Sequence, residues 1–186
     1  MIPSGKRHAN TTASGHLWAQ ILSATPHTRL LLKNPALADE ATRNRLLSHF
    51  ASHHISSDRL TLLPRDPDPA AHLAHYHDID LALDTFPYHG TTTTCEALAM
   101  NVPVLTLAGN THASRVGVSL LTSANLPTFI TTTPEAYLAQ ALACAQNPSL
   151  LLAARHTLRT TLPTSPLFNA KQFAADFLAT LQSLLP

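Results

Sequence analysis

Residues 84–106 read DTFPYHGTTTTCEALAMNVPVLT, and their types suit the holding of an anion. One of only five glycines, Gly90, stands directly before Thr91, Thr92, Thr93 and Thr94, and a helix-like run follows. A helix beginning in this loop presents free backbone N–H groups and the positive end of its dipole, for which phosphate is the natural guest. Gly90 lets the backbone approach closely, and the threonine hydroxyls add donors. Local chemistry leaves a second reading open. Thr93-x-x-Glu96 also matches a capping box, which needs no ligand. The stretch is not a P-loop, since no lysine follows and the spacing differs.

Other residue types invite a test for chemistry. His72, His75 and His77, with His89 nearby, raise the question of zinc. His72 and His75 lie a helical turn apart while His77 points elsewhere, and no thiolate joins them, so no metal is expected. Cys95, one residue before Glu96, reads as a small packing residue rather than a nucleophile. Cys95 and Cys144 show no CxxC spacing, so no disulfide framework is expected. Asp84 ends a strand at the loop's mouth and is either a site carboxylate or a turn former. The 12 histidines and 14 prolines, beside scarce lysine, read first as a coding bias.

The elements that position this loop follow from periodicity. Leu17, Trp18, Ile21 and Leu22 recur at helical spacing, predicting a helix over residues 12–24. Strands are expected at Thr28–Lys33, Leu60–Leu63, Ile79–Leu83, Val104–Leu107 and Phe129–Thr131. Helices are expected over residues 36–54, 93–100, 112–124, 134–147, 148–162 and 169–185, with a short one opening after Pro69. This alternation predicts βαβ units in one parallel sheet with helices on both faces, a Rossmann-like α/β fold. In such sheets ligands sit beyond the carboxyl ends of the strands, which selects the loop after the third strand.

Bulk numbers narrow the function classes. At 186 residues the chain suits one domain spanning 1–186, with residues 1–11 a candidate for disorder. Hydrophobic content of 45% with 12% charged residues fits a globular protein. A formal net charge of +1 and only 5% aromatics argue against a nucleic-acid partner. No apolar run approaches the roughly 20 residues of a membrane span, and the start lacks a signal peptide's apolar core, so a cytoplasmic protein without a membrane partner is expected.

The order of motifs extends the reading. The stretch DIDLALDTFPYHGTTTTCEALAMNVPVLTLAGNTHASRVGVSLL closely resembles the carboxyl-terminal catalytic half of the O-linked N-acetylglucosamine transferase family, which includes the SPINDLY proteins. The shared pattern is Leu-Asp-Thr, then Pro-Tyr-x-Gly-x-Thr-Thr with an acid three residues on, Val-Pro-Val, and His-x-Ser-Arg-Val. SPLFNAKQF, Ser165 to Phe173, matches a further element ahead of the last helix. The resemblance runs from about Leu17 to the end and implies one half of the GT-B architecture, two Rossmann-like halves with a nucleotide sugar between them. It implies a UDP-sugar site, for UDP-N-acetylglucosamine, and transfer to serine or threonine hydroxyls of a protein. Neither cofactor nor metal is implied, since the helix dipole and donor groups offset the leaving diphosphate's charge.

Residue by residue, the resemblance places Thr92 and Thr93 against the diphosphate and Thr91 near sugar and phosphate, where some relatives carry histidine. Glu96 matches an acid facing the ribose, His72 a histidine lying against the uridine, and His75 a position near the base. Pro67 falls where backbone groups read the uracil edge. Arg115 in HASRVG either touches ligand or pairs with a helix end or loop carbonyl. The family lysine of the leaving phosphate precedes the Trp18 helix; Lys6 and Arg7 are the basic candidates, further from Trp18 than the family spacing. Asn101 replaces the usual glycine before Val-Pro-Val, which should alter the turn there without changing the fold. The amino-terminal half, with its catalytic and acceptor-side groups, is not represented, so a protein acceptor requires that half to be supplied. A non-catalytic nucleotide-sugar-binding or interaction module is the alternative, and relatives that use GDP-fucose leave nucleotide and sugar open.

Overall fold

A computed structural model describes residues 11–185. Eight α-helices and five strands alternate among the described residues. They are α1 (Thr11–Ala24), β1 (Leu30–Lys33), α2 (Glu40–Ala51), β2 (Leu60–Leu63), α3 (Pro69–Ala74), β3 (Ala82–Leu83) and α4 (Thr92–Ala99). They continue as β4 (Val104–Leu107), α5 (Val116–Ser123), β5 (Ile130–Thr131), α6 (Pro134–Gln146), α7 (Pro148–Thr161) and α8 (Ala170–Ser183). Every strand pairing is parallel, as the alternation requires.

The expected single sheet is instead two hydrogen-bonded ladders, β1–β2 and β3–β4–β5. In the first, Leu30 stands opposite Leu60 and Lys33 opposite Leu63. In the second, Ala82 faces Val104, and Thr106 faces Ile130. β2 and β4 have the expected bounds, while β1, β3 and β5 are shorter than expected because their first residues are tied elsewhere. The Ile79 carbonyl accepts from Arg155 Nη2 at 2.7 Å, so β3 begins only at Ala82. Phe129 closes a 3-10 turn opened by Pro127. Thr28 is held by Thr25, 2.6 Å between hydroxyls, before β1 begins.

Helix starts follow local rules. Asp39 accepts from Thr42 N at 2.8 Å, so α2 opens at Glu40 and the preceding Pro35–Ala38 is a separate 3-10 turn. Asp68, Thr133 and Asn147 each cap a helix whose first residue is proline. Helix ends use the left-handed region without glycine: His54, Asn101 and Asn125 have φ of 60, 58 and 58°. The turn at Asn101 is thus of the kind glycine makes and not the altered one expected, because asparagine tolerates this region best among larger residues.

The core is continuous. All four residues of β4 are buried, as expected for a strand covered on both faces. Trp18, Ile21 and Leu22 of α1, Phe50 of α2, Leu121 of α5, Tyr137 of α6 and Leu158 of α7 close over the strands. α8 is different: none of its residues is buried, and Phe173 and Phe177 are exposed with rings stacked 5.9 Å apart.

One cation secures the α1–β1 connection. Arg59 donates to the carbonyls of Leu22, Thr25 and Thr28 at 2.9, 2.8 and 3.0 Å, satisfying acceptors at the carboxyl end of α1. Arg59→Met should cost roughly 1–3 kcal/mol, since charged hydrogen bonds to half-buried carbonyls are lost. Urea denaturation checks this as a lower midpoint with an unchanged slope.

Candidate functional site

The loop from β3 to α4 is built around a buried carboxylate. Asp84 Oδ1 accepts from the N–H groups of Thr85 and Gly90, each at 2.9 Å, and Oδ2 accepts from Thr106 Oγ1 at 2.8 Å. Burial pushes the Asp84 carboxyl up from its ordinary value, against three donors that favour the anion. Asp84 is therefore the anchor of the loop from below, not a group offered to a ligand.

His89 completes that floor. Its Nε2–H donates to the Leu107 carbonyl at 2.9 Å, and its Nδ1 accepts from Gly117 N–H at 3.0 Å. Nδ1 lies 3.4 Å from Asp84 Oδ2, yet an accepting nitrogen carries no proton, so the contact is not an ion pair. His89 is wholly committed to protein and is removed from any metal set. His77 is exposed, and among the described residues no three ligating side chains gather around a metal position.

Above the floor the loop is fixed from two sides. Ser14 Oγ of α1 bonds both the carbonyl and the N–H of Phe86 at 3.0 Å. His89 N–H donates to the Ala113 carbonyl at 2.9 Å, joining this loop to the one before α5. Gly90 is required by space: a Cβ there would stand 2.4 Å from Thr93 Oγ1. α4 then begins at Thr92, without a side-chain cap from Thr91; Thr93 is the second residue of the helix and not its N-cap, so the expected capping box of Thr93 and Glu96 does not open it. Thr91 and Thr92 are exposed, Thr93 and Thr94 buried, and the Thr94 hydroxyl donates back to the Gly90 carbonyl at 2.8 Å.

Glu96 turns away from the helix start toward α3. Its Oε2 receives His72 Nε2–H at 3.0 Å and the Tyr76 hydroxyl at 3.3 Å; Tyr76 also reaches the Thr93 carbonyl at 3.2 Å. Burial, with the Glu96 charge beside it, pushes the Tyr76 phenol well above the tyrosine range, so it stays a donor. His72 Nδ1 faces Lys33 Nζ at 2.7 Å, and Lys33 pairs with Asp66, which also accepts from His75 Nε2 at 3.0 Å. The Lys33 ammonium beside Asp66 holds its carboxyl below the usual range. Thus His72, His75, Thr93 and Glu96 are brought together, with Gly90, Thr91 and Thr92 at the start of the same helix.

Pro67 is exposed in the loop between β2 and α3, directly after Asp66. Arg115 is exposed, with Nη1 bonded to the Gly109 carbonyl at 3.2 Å. Lys6 lies outside the described residues. Burial first, and then the neighbouring Glu96, push the Cys95 thiol up, which suits packing and not attack.

Sequence reasoning passed over Lys33, Asp66 and Tyr76. Lys33, one of three lysines, ends an apolar run at the ligand end of β1 and is only 4% exposed. A lone cation closing an otherwise apolar strand was the available signal, since buried ammonium demands partners.

Asp84 generates a prediction with a definite sign. Its folded-state value is raised, so its penalty is absent in acid and sets in as pH rises through the folded value. Asp84→Asn should raise the denaturation midpoint at pH 7 and lose that advantage as pH falls toward about 4. Asp84→Ala leaves two N–H donors buried and unpaired and should cost roughly 1–3 kcal/mol for each. Denaturation of both variants at the two pH values checks the pair.

Comparison with known proteins gives the chain its family. The model of glycosyl transferase family 41 matches residues 11–177. A probable UDP-N-acetylglucosamine–peptide N-acetylglucosaminyltransferase SPINDLY from Solanum lycopersicum is 37% identical over 168 residues, 90% of this chain and 18% of that protein. The Arabidopsis thaliana protein of the same description is 39% identical over 158 residues, 85% of this chain and 17% of that one. This chain therefore spans less than a fifth of these relatives. A mutant of the Thermobaculum terrenum O-GlcNAc transferase superposes with a TM-score of 0.84 at 36% identity, over 98% of this chain and 34% of that one. WaaG, a glycosyltransferase of lipopolysaccharide biosynthesis, shares the fold with a TM-score of 0.65 at 16% identity, over 95% and 46%. The parallel α/β arrangement is that of GT-B glycosyltransferases, and the chain belongs to glycosyl transferase family 41.

Proposed function

We propose that this chain is the donor-binding domain of a protein O-glycosyltransferase that takes N-acetylglucosamine from UDP-N-acetylglucosamine to serine or threonine hydroxyls. The observation that carries the reading is the start of α4: a first turn without a side-chain cap from Thr91, exposed at Thr91 and Thr92, at the carboxyl end of β3. Such a turn offers backbone N–H groups and dipole to a diphosphate, with the Thr92 and Thr93 hydroxyls as further donors. Glu96, one turn on, is the acceptor for ribose hydroxyls. His72 lies against the uridine, His75 near the base, and the backbone at Pro67 meets the uracil edge.

In transfer, the acceptor oxygen attacks the anomeric carbon and the bond to the diphosphate breaks. The part of this chain is to hold the diphosphate and stabilise the charge it gains, with donors that need no reorganisation and no metal. Acceptor binding and proton removal fall to an amino-terminal half of the kind that longer relatives have room for. The reading includes a cytoplasmic setting; Cys95 and Cys144 are both free thiols, and no described helix is long and apolar enough to cross a membrane. A second reading, nucleotide-sugar binding without transfer, is favoured by one observation: Lys33 and Arg115, both near the ligand end, are already bonded within the protein.

Isothermal titration with UDP, UDP-N-acetylglucosamine, GDP and GDP-fucose tests the proposal. The uridine ligands should bind, and Thr92→Ala combined with Thr93→Ala should weaken binding about ten-fold or more, the loss of one or two charge-assisted hydrogen bonds. Absence of heat with every nucleotide, in a sample folded by circular dichroism, sinks the reading. Preference for the guanine pair redirects it to a different donor.

A further inference from the structure

We infer that Lys33 and Asp66 are positioning residues that fix the tautomer of His72 and, through it, the aim of the Glu96 carboxylate; the inference rests on the donor-site reading of the α4 start. Lys33 is the last residue of β1, at the end of the sheet where ligands bind, and is 4% exposed. A buried ammonium that served packing alone would need only its carboxylate, Asp66. Nζ also meets His72 Nδ1 at 2.7 Å. An ammonium has three N–H donors and no acceptor, so Nδ1 must accept. The imidazole proton then sits on Nε2, which faces Glu96 Oε2 at 3.0 Å. A single residue that cannot accept therefore sets the direction of every donation along the chain from β1 to α4.

The end of that chain faces outward. The Tyr76 hydroxyl adds a second donor to the same Oε2 at 3.3 Å, and the Glu96 side chain is 27% exposed. Among the described residues both donors fall on Oε2, which leaves Oε1 to accept from hydroxyls of a bound molecule. Were His72 in the Nδ1–H form, the Nε2 lone pair would point at the carboxylate and drive it out of this pose. The groups facing His72 are Lys33 from β1, Glu96 from α4, and Tyr76, whose ring stands edge-on with centroids 6.0 Å apart. Asp66 lies behind Lys33, and is itself steadied by His75 Nε2–H at 3.0 Å.

Long-range proton–nitrogen spectra of 15N-histidine-labelled protein, with titration of UDP, test this. Wild type should show His72 protonated on Nε2 and bare at Nδ1. Lys33→Met should move His72 to the other tautomer or a mixture and weaken UDP about ten-fold. Lys33→Arg, which is also a pure donor, should restore both signals. A wild-type His72 protonated on Nδ1 overturns the inference, as does a Lys33→Met protein with unchanged tautomer and affinity. If Lys33→Met does not fold, the wild-type tautomer and the milder Asp66→Asn decide. If wild type shows the expected tautomer but binds no nucleotide, the donor-site reading fails, and with it the role of Glu96 as an acceptor for ligand hydroxyls.

Discussion

Everything around the candidate site hangs from one buried acceptor. The Asp84 carboxylate gathers donors from its own loop, from Gly90 at the approach to α4, and from Thr106 on the neighbouring strand. A side chain at one other position is excluded to let this happen. A Cβ on Gly117 would stand 2.6 Å from Asp84 Oδ2 and 2.5 Å from Thr106 Oγ1, so α5 passes at backbone distance. His89 fills the rest of the space as a neutral ring that ties β4 to α5. The position of the α4 amino terminus is thus set from beneath by hydrogen bonds that no ligand needs to touch.

Above that floor the polar groups divide into two kinds. The start of α4 offers N–H groups, hydroxyls and the positive end of a dipole, and suits negative charge. One turn on, Glu96 offers an acceptor held by donors from α3 and its following turn, and suits hydroxyl groups. Donor surface and acceptor surface lie about one helical turn apart, roughly 5 Å. A ligand that presents phosphate next to a polyol satisfies both at once. Keeping the two apart requires that Glu96 not fold back onto its own helix, and the His72 and Tyr76 contacts are what prevent it.

Much of this was legible in the sequence, and the remainder was hidden for physical reasons. The βαβ alternation, the loop after the third strand and the Gly-Thr run were readable, because apolar periodicity and turn chemistry are local properties. Asn101 was expected to alter the turn where relatives carry glycine; it instead takes a left-handed φ of 58°, a region asparagine tolerates. The capping box was misread: a Thr-x-x-Glu spacing permits that bond, but partners 24 and 20 residues upstream in sequence, His72 and Tyr76, compete for Glu96 and win. The split of the sheet was likewise invisible, since which strands share a ladder is settled by long-range pairing and not by any local pattern. Lys33 looked like the end of an apolar strand because its partners arrive only on folding.

α8 stands apart from this network of contacts, and its isolation has a thermodynamic meaning. A helix of 14 residues with no buried side chain has its own backbone bonds, the Asn169 cap and pairs along its surface, such as Gln172 with Asp176 and Phe173 with Phe177, to sustain it. Segments of that length are marginal in water without tertiary support. Its helix–coil equilibrium is therefore uncoupled from the cooperative unfolding of the core, and its order responds to whatever surface meets Phe173, Phe177 and Leu181. The molecule carries two stabilities, one belonging to the α/β core and one on loan from its surroundings.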